Sequence, residues 1–354
     1  MSKTAAEVMA EINQAMKSPV LKMASADELR VEYIPTGIIP FDILLGGGLP
    51  RGRFVTAVGD FSTIKSLLGL KALAQVQAAG GVGALIDTEH AFDPQWATSL
   101  GVDVDSLILQ HPETGELAID TAEALIRSGV DLIVFDSVAA ALPESEQKSR
   151  LHGESIQPAR LAQLMSIAMR KLTAANSRTA ILWINQLRMN VGVTFGNPLH
   201  ATGGKSLPYF SSLIIHIAKT GKLTETRKAW DGSTWIDAKE VVGQKYKVTI
   251  EKSKLSAPYR DVHIVWDHRT GSVDEVGYLI ASGLESGVIT RKGNAGWTYQ
   301  GKTTMGREKF HAKISKDLDL REALTREVYT FHGLPEPPRP PDDSPRPASS
   351  KSAT

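Results

Sequence analysis

The sequence predicts an α/β fold with a mostly parallel sheet covered by helices on both faces, and three observations predict it. Apolar runs alternate with helical spacings from Phe54 to Phe135, the apolar runs are continuous, and two of them end in carboxylates at Asp87 and Asp136. Strands that are apolar at every position are buried on both faces, which is how parallel sheets sit between layers of helices.

Residues 4–16, TAAEVMAEINQAM, set Val8, Met9, Ile12 and Met16 on one stripe opposite Glu7, Glu11 and Gln14. That spacing predicts one short amphipathic helix. The polar stretch Lys22 to Val31 separates it from the rest, and the glycine-rich segment Thr36 to Phe54 closes on the turn signal Leu49-Pro50-Arg51-Gly52. A strand at Phe54–Val58, a helix at Ser66–Ala79 and a strand at Val82–Ile86 follow. Asp93-Pro94 opens the next helix, an N-cap with proline at the first position. Leu107–Leu109, Ala118–Arg127 and Leu132–Phe135 continue the alternation. Later strands are read at Ala180–Ile184, Leu213–Ile217, Tyr246–Ile250 and Val262–Trp266. No long helix separates the last three, so the far edge of the sheet is expected to be antiparallel. Past Trp266, short mixed segments around Trp297 and Tyr299 predict a small α+β domain ending near Phe331. Residues 333–354 hold seven of the eighteen prolines and no aromatic residue, a composition that cannot bury a core and predicts disorder. The expected division is 1–33 (helix and linker), 34–265 (core), 266–332 (C-terminal domain) and 333–354 (tail).

Composition narrows the class. At roughly 150 residues per domain, 354 residues mean two domains or one large core with attachments. Hydrophobic residues at 42% and charged residues at 22% suit a soluble globular protein with a sizeable core. The net charge of +1 gives no global field toward a polyanion, so such a site has to be a local patch. The chain has no Cys, which removes disulfides, thiolate metal sites and Cys nucleophiles together and fits a reducing compartment. No apolar run approaches the roughly 18 residues of a membrane span, and the expected location is cytoplasmic.

Three segments carry chemistry. Gly59-Asp60-Phe61-Ser62-Thr63-Ile64-Lys65-Ser66 lies between a strand and a helix and matches G-x-x-x-x-G-K-[ST] except at Ile64, which takes the place of the second Gly. Such a loop cradles a phosphate chain with its backbone N–H groups, Lys65 reaching the outer phosphates and Ser66 ligating Mg²⁺. A β-branched residue at positive φ is an outlier, so Ile64 has to take an ordinary helical conformation or displace the loop. An ordinary strand-to-helix turn is the competing reading. Twenty-two residues on, Ile86-Asp87-Thr88-Glu89 ends a strand with carboxylates, and Glu89 is a candidate for the base that orients an attacking water; a solvated loop residue is the alternative. Leu132-Ile133-Val134-Phe135-Asp136 has the form of a strand whose terminal Asp supports Mg²⁺, and equally that of a core strand followed by a helix cap. Phosphate loop, acidic strand end and Asp-terminated strand in that order decide for a bound phosphate chain with Mg²⁺.

The segments Thr36–Arg53, Ile86–Pro94, Leu100–Glu116, Val130–Leu142, Ile184–Gly204 and Lys252–Pro258 together resemble the bacterial RecA recombinase family, in order and nearly in spacing, up to about residue 332. FGNP at 195–198, TGG at 202–204 and KSKLSAP at 252–258 are more specific than a generic nucleotide motif. The resemblance implies a RecA-type P-loop NTPase core, an N-terminal oligomerisation helix and a small C-terminal domain. It implies a filament-forming, DNA-dependent ATPase that promotes homologous pairing and strand exchange. By the same resemblance, Lys65 and Ser66 bind ATP and Mg²⁺, Glu89 activates water, Asp136 supports the metal, and Asp93 and Trp96 contact adenine. Gln186 stands where the family senses the γ-phosphate, and Lys252 and Lys254 where lysines reach the neighbouring subunit's ATP; a solvated strand face is the plainer reading of these two.

Two loops carry the implied binding of single-stranded DNA. Arg188, Met189, Asn190, Val191, Gly192, Phe195, Asn197, Gly203, Gly204 and Lys205 belong to the second DNA loop, where small and apolar residues beside basic ones suit insertion among bases. Gln147 to Pro158 is the first loop, followed by Arg170 as a phosphate contact; Lys148, Arg150 and His152 depart from the acidic character usual in the family. Arg291, Lys292, Lys302, Arg307, Lys309 and Lys313 give the C-terminal domain a basic character suited to duplex DNA. The rival reading is a single-strand-binding filament protein whose hydrolysis is impaired by Ile64. The stretch 220–239 reads as an insertion of unassigned role.

Overall fold

The computed structural model describes residues 3–25, 30–148, 159–189, 199–230 and 232–335. The Pro-rich tail beyond 335 and most of the two segments expected to be DNA loops lie outside them.

The chain divides into two compact units, Met1–Glu32 and Tyr33–Thr354. In the first, helix α1 (Ala5–Ala15) begins with a capping box in which Thr4 and Glu7 exchange side-chain and backbone hydrogen bonds. None of its residues is buried, and the predicted stripe of Val8, Ile12 and Met16 is exposed.

In the second unit, β1 (Tyr33–Ile34) pairs with β2 (Leu49–Pro50) around α2 (Ile39–Leu45). The alternating region follows: β3 (Phe54–Gly59), α3 (Lys65–Ala78), β4 (Gly83–Asp87), α4 (Pro94–Ser99), β5 (Ile108–Gln110), α5 (Gly115–Arg127) and β6 (Leu132–Asp136). After α6 (Glu144–Gln147) come α7 (Ala159–Ala175), β7 (Ala180–Met189), β8 (Leu199–Ala201), α8 (Ser206–Phe210), β9 (Leu213–Trp230), β10 (Trp235–Ser253), β11 (Asp261–Asp267) and β12 (Ser272–Val273). Among the described residues the central sheet runs β12-β11-β10-β9-β3-β7-β6-β4-β5, with β8 paired on β7.

Its strands bury both faces. Leu132 and Val134 join Leu68, Leu73, Leu182 and Ile215 on the α3 side, whereas Ile133 and Phe135 join Ile119, Met165, Met169 and Trp183 on the side of α5 and α7. This alternation between two apolar environments is why the strands read as continuous apolar runs.

The far edge is antiparallel, as expected: β9, β10 and β11 pair antiparallel in turn. The strand starting at Leu213 runs parallel to β3, with Gly59 beside Ile217, and the reversal comes only at the β9–β10 turn. The segment between β7 and β9, α8 included, is long enough for the crossover that parallel neighbours need. A difference lies at Arg188, where the sequence reading begins a loop: β7 continues to Met189 and returns antiparallel as β8, with Leu187 opposite Ala201.

The stretch 220–239 forms the outer part of the β9–β10 hairpin. The hairpin's inner part is flanked by β3 at 213–217 and by β11 at 243–249; the part between projects as a two-stranded ribbon, with Trp230 edge-on to Trp235 at its end. Past the sheet, α9 (Glu275–Glu285), β13 (Thr290–Lys292), β14 (Gly296–Tyr299), β15 (Lys302–Met305), α10 (Arg307–Lys316) and α11 (Leu318–Phe331) form a smaller α+β layer. It has its own apolar cluster around Leu279, Phe310, Ile314 and Leu324, in which Trp297 stacks on Phe310 and to which Ile43 of α2 contributes. Among the described residues no helix is long and apolar enough to cross a membrane.

Candidate nucleotide and DNA site

The phosphate loop joins β3 to α3 at the carboxyl edge of the sheet, where ligands of open α/β sheets bind. Gly59 is required there by space: a Cβ on it would stand 2.5 Å from the Ile217 carbonyl oxygen and 2.8 Å from Thr63 Oγ1. Ile64 has φ −40 and so avoids the left-handed region, but its ψ of 31 is not the ordinary helical value that the sequence reading calls for; its side chain is buried in the α3-side core. The missing second glycine therefore leaves the loop between its strand and helix, with a buried anchor at its end. Lys65 is curled into the loop, its Nζ donating to the carbonyls of Gly59 (3.2 Å) and Asp60 (2.7 Å) and to Thr63 Oγ1 (2.9 Å). Burial holds its ammonium below the ordinary lysine range. Phe61 and Ser62, at the loop's tip, are exposed.

Opposite Lys65, Ser66 Oγ donates to Asp136 Oδ2 at 2.6 Å, so the two residues read as metal-supporting converge from α3 and β6. Burial is the main cause that pushes the Asp136 carboxyl up to about 6, the charges of Glu89 and Asp87 adding to it against the Ser66 hydrogen bond and Lys65. A carboxylate that is costly to leave charged, beside a serine hydroxyl, is a donor set that fits a hard divalent cation. The loop with its lysine, and this pair beside it, fit a magnesium nucleotide.

Glu89 follows β4. Its Oε1 accepts from Gln186 Nε2 at 2.7 Å and from the Ser137 hydroxyl. The backbone presenting it is fixed by Asp87, which accepts from the N–H groups of Glu89, Ala91 and Phe92 and faces His111 Nε2 at 3.2 Å. The Thr88 hydroxyl exchanges hydrogen bonds with the Ser137 backbone, tying the end of β4 to that of β6. Asp93 caps α4, one oxygen accepting from the N–H groups of Gln95 and Trp96. Trp96 is 43% exposed and meets Trp266 edge-on at 6.3 Å, so one ring face is available to a base.

Gln186 lies on β7, the strand that leads into the segment read from the sequence as the second DNA loop. Asn185, missed by sequence reasoning, is buried beside it: its Nδ2 donates to the Thr202 carbonyl at 2.9 Å and its Oδ1 accepts from Thr202 Oγ1, which clamps the two ends of that loop. An amide that closes an apolar strand was the signal available. Gly203 has φ +85, and a Cβ on it would come within 2.9 Å of Val138, so only glycine fits where the loop returns. Gly204 and Lys205 follow, both exposed, with Gly204 also at positive φ. Arg170 is exposed on α7, its Nε donating to Ser166 O. Arg188 and Met189 end β7, while Asn190, Val191, Gly192, Phe195 and Asn197 lie outside the described residues, as do Arg150 and His152.

Lys252 and Lys254 are not brought to their own phosphate loop. Lys252 stands beside Ile214, which stands beside Thr56, toward the amino edge of the sheet and away from Gly59. Their ammonium groups donate to carbonyls of α8: Lys252 to Pro208 (2.6 Å) and Tyr209 (3.0 Å), Lys254 to Tyr209 (3.2 Å). Burial and the neighbouring charge of Lys254 hold Lys252 below the ordinary lysine range.

The family model described as RecA N-terminal domain matches residues 3–271. Among curated relatives, Protein RecA of Frankia alni is 38% identical over 334 residues, covering 92% of this chain and 91% of that one. Protein RecA 1 of Myxococcus xanthus is 40% identical over 319 residues, 89% of each chain. Protein RecA of Nocardia farcinica is 38% identical over 323 residues, 90% of this chain and 88% of that one.

Proposed function

The chain belongs to the RecA family, whose work is homologous recombination, DNA repair and strand exchange, and from that premise we propose that it is a DNA-dependent ATPase. It hydrolyses ATP at the Lys65–Glu89 centre while polymerised as a helical filament on single-stranded DNA. The observation that carries this reading is the chain of contacts from Ser66 to Asp136 at the phosphate loop, through the adjoining Ser137 to Glu89, and on to Gln186 on the strand entering the second loop.

Lys65 exchanges its loop carbonyls for the outer phosphates of the nucleotide, and Ser66 and Asp136 hold the magnesium ion. When bound, that ion supplies positive charge to the phosphate oxygens. Glu89 orients the attacking water and accepts its proton, and Gln186 holds the Glu89 carboxylate until the nucleotide and the DNA loop compete for the amide. Trp96 offers a ring face to adenine. Lys252 and Lys254, remote from their own loop, suit a pocket completed by the adjacent subunit, with charge supplied in trans. Arg170, Lys205 and the residues around Gly203 suit the phosphates and bases of a single strand, and the basic residues of the C-terminal layer suit duplex DNA.

The rival reading, a passive coat with a compromised loop, is disfavoured by the negative φ and buried side chain of Ile64. ATP hydrolysis measured with and without single-stranded DNA, alongside electron microscopy of the same samples, tests the proposal. Stimulated hydrolysis and filaments are expected; filaments on DNA with no hydrolysis would establish the passive coat instead.

A further inference from the structure

The β9–β10 hairpin leaves the sheet at the edge that carries the phosphate loop, and at its root two directly opposed residues touch that loop. Lys219 on β9 pairs in register with Tyr246 on β10. Lys219 Nζ lies 4.4 Å from the centre of the Phe61 ring, over its face, and Tyr246 Oη donates to the Ser62 carbonyl at 3.3 Å. Phe61 and Ser62 form the exposed tip of the loop, and Ser62 has φ +51, a conformation that L residues other than Asn and Asp rarely hold unaided.

The register explains why this pair reaches the tip. Lys245 pairs with Gly221 but Tyr246 with Lys219, so Thr220 is an extra residue, a bulge in β9. A bulge twists its strand and re-aims the side chains beside it. Here it falls where the hairpin passes the loop. Tyr246 is buried and Lys219 exposed, so the contact has one fixed partner and one cationic arm. The charge of Lys219 is also felt at Lys65, which places both cations in one local field.

We propose that Lys219, with Tyr246, is a positioning residue for the nucleotide: the root of the hairpin holds the Phe61–Ser62 tip of the phosphate loop and adds a second positive charge beside the outer phosphates. The inference rests on the nucleotide reading of that loop. It also gives the extended hairpin a mechanical connection to the nucleotide, because displacement of the ribbon is transmitted to the loop through this pair.

The test uses the full chain with MgATP, measuring KM and kcat of DNA-stimulated hydrolysis and MgATP affinity by calorimetry. Lys219→Met keeps the length of the side chain and removes its charge. It is expected to raise KM and the dissociation constant about two- to fivefold, the range of an exposed cation–π contact, with kcat changed less than twofold. Lys219→Arg is expected to stay within twofold of the parent on all three. Phe61→Leu is expected to match Lys219→Met, and the double variant to be no worse than the more affected single one. An unchanged KM in Lys219→Met, a loss confined to kcat, no rescue by arginine, or additive effects in the double variant would each overturn the inference. Lys65→Ala separates the two levels. If MgATP binding survives in it, the nucleotide reading fails; if binding is lost there while Lys219→Met behaves as the parent, only the role of Lys219 fails.

Discussion

Gln186 donates its side-chain amide to Glu89 at 2.7 Å, although 97 residues of sequence separate them and β6 lies between their strands. The base candidate is thereby held by a residue of the strand that leads into the proposed DNA loop. Glu89→Gln keeps the shape and removes the proton acceptor. It is expected to lower hydrolysis by about 10² or more, the range of a lost general base, while MgATP and single-stranded DNA still bind. Gln186→Ala is expected to leave basal hydrolysis measurable but to abolish its stimulation by DNA. Equal stimulation in Gln186→Ala and parent would show that the contact transmits nothing.

Ile64 stands where a glycine is usual, yet its φ is negative and its side chain fills part of the core. Replacing Ile64 by Gly removes a buried side chain worth about 2–3 kcal/mol and frees the residue that starts α3. Thermal unfolding of Ile64→Gly is expected several degrees below the parent, with hydrolysis within about threefold. A gain of tenfold or more in turnover would mean that the native loop is compromised after all.

The parts of the site that were legible in the sequence are those where chemistry demands fixed residue types at fixed offsets. Gly59, Lys65 and Ser66 have to stand in one turn, and Asp136 has to close an apolar strand, so local pattern suffices. Asn185, Lys219 and Tyr246 were not legible, because what they touch is set by strand register and a bulge between segments far apart in the chain. The same limit applies to the pairing of β9 with β3: apolar periodicity gives strand and burial, but the parallel direction of β9 depends on the connection through α8, which leaves no periodic signal. The continuation of β7 to Met189 was hidden for a related reason, since its partner β8 is three residues long.

Asp42 on α2 is fully buried, accepting from the Thr36 N–H (2.6 Å) and hydroxyl (2.7 Å). Burial pushes its carboxyl up to about 7, the Thr36 hydrogen bonds opposing and the charge of Glu275 reinforcing the rise. The folded state therefore keeps a proton that the unfolded chain releases near the ordinary carboxylate value, so stability falls as pH rises through roughly 4 to 7 and is level above that. Thermal unfolding between pH 5 and pH 8 is expected to show a steeper decline in the parent than in Asp42→Asn, which still accepts from Thr36 but does not titrate. Parallel curves would mean that Asp42 is not the group responsible.

Lys252 and Lys254 point their ammonium groups at α8 carbonyls toward the amino edge of the sheet, while Lys65 and Glu89 stand at the carboxyl edge. A lysine that acts on a nucleotide from there acts on the neighbour's, and that geometry makes a test by mixing. Lys252→Ala/Lys254→Ala protein alone is expected to bind MgATP within a few-fold of the parent yet to lose about 10² or more in DNA-stimulated hydrolysis, in line with charges supplied in trans. Lys65→Ala protein alone is expected to be inactive because its own loop is disabled. In filaments assembled from both, some interfaces join an intact loop to intact lysines of the other protein, and hydrolysis is expected to rise well above either protein alone, to a maximum near equal mixing. A mixture no more active than the sum of its parts would place the lysines outside the reaction and leave them as caps on α8.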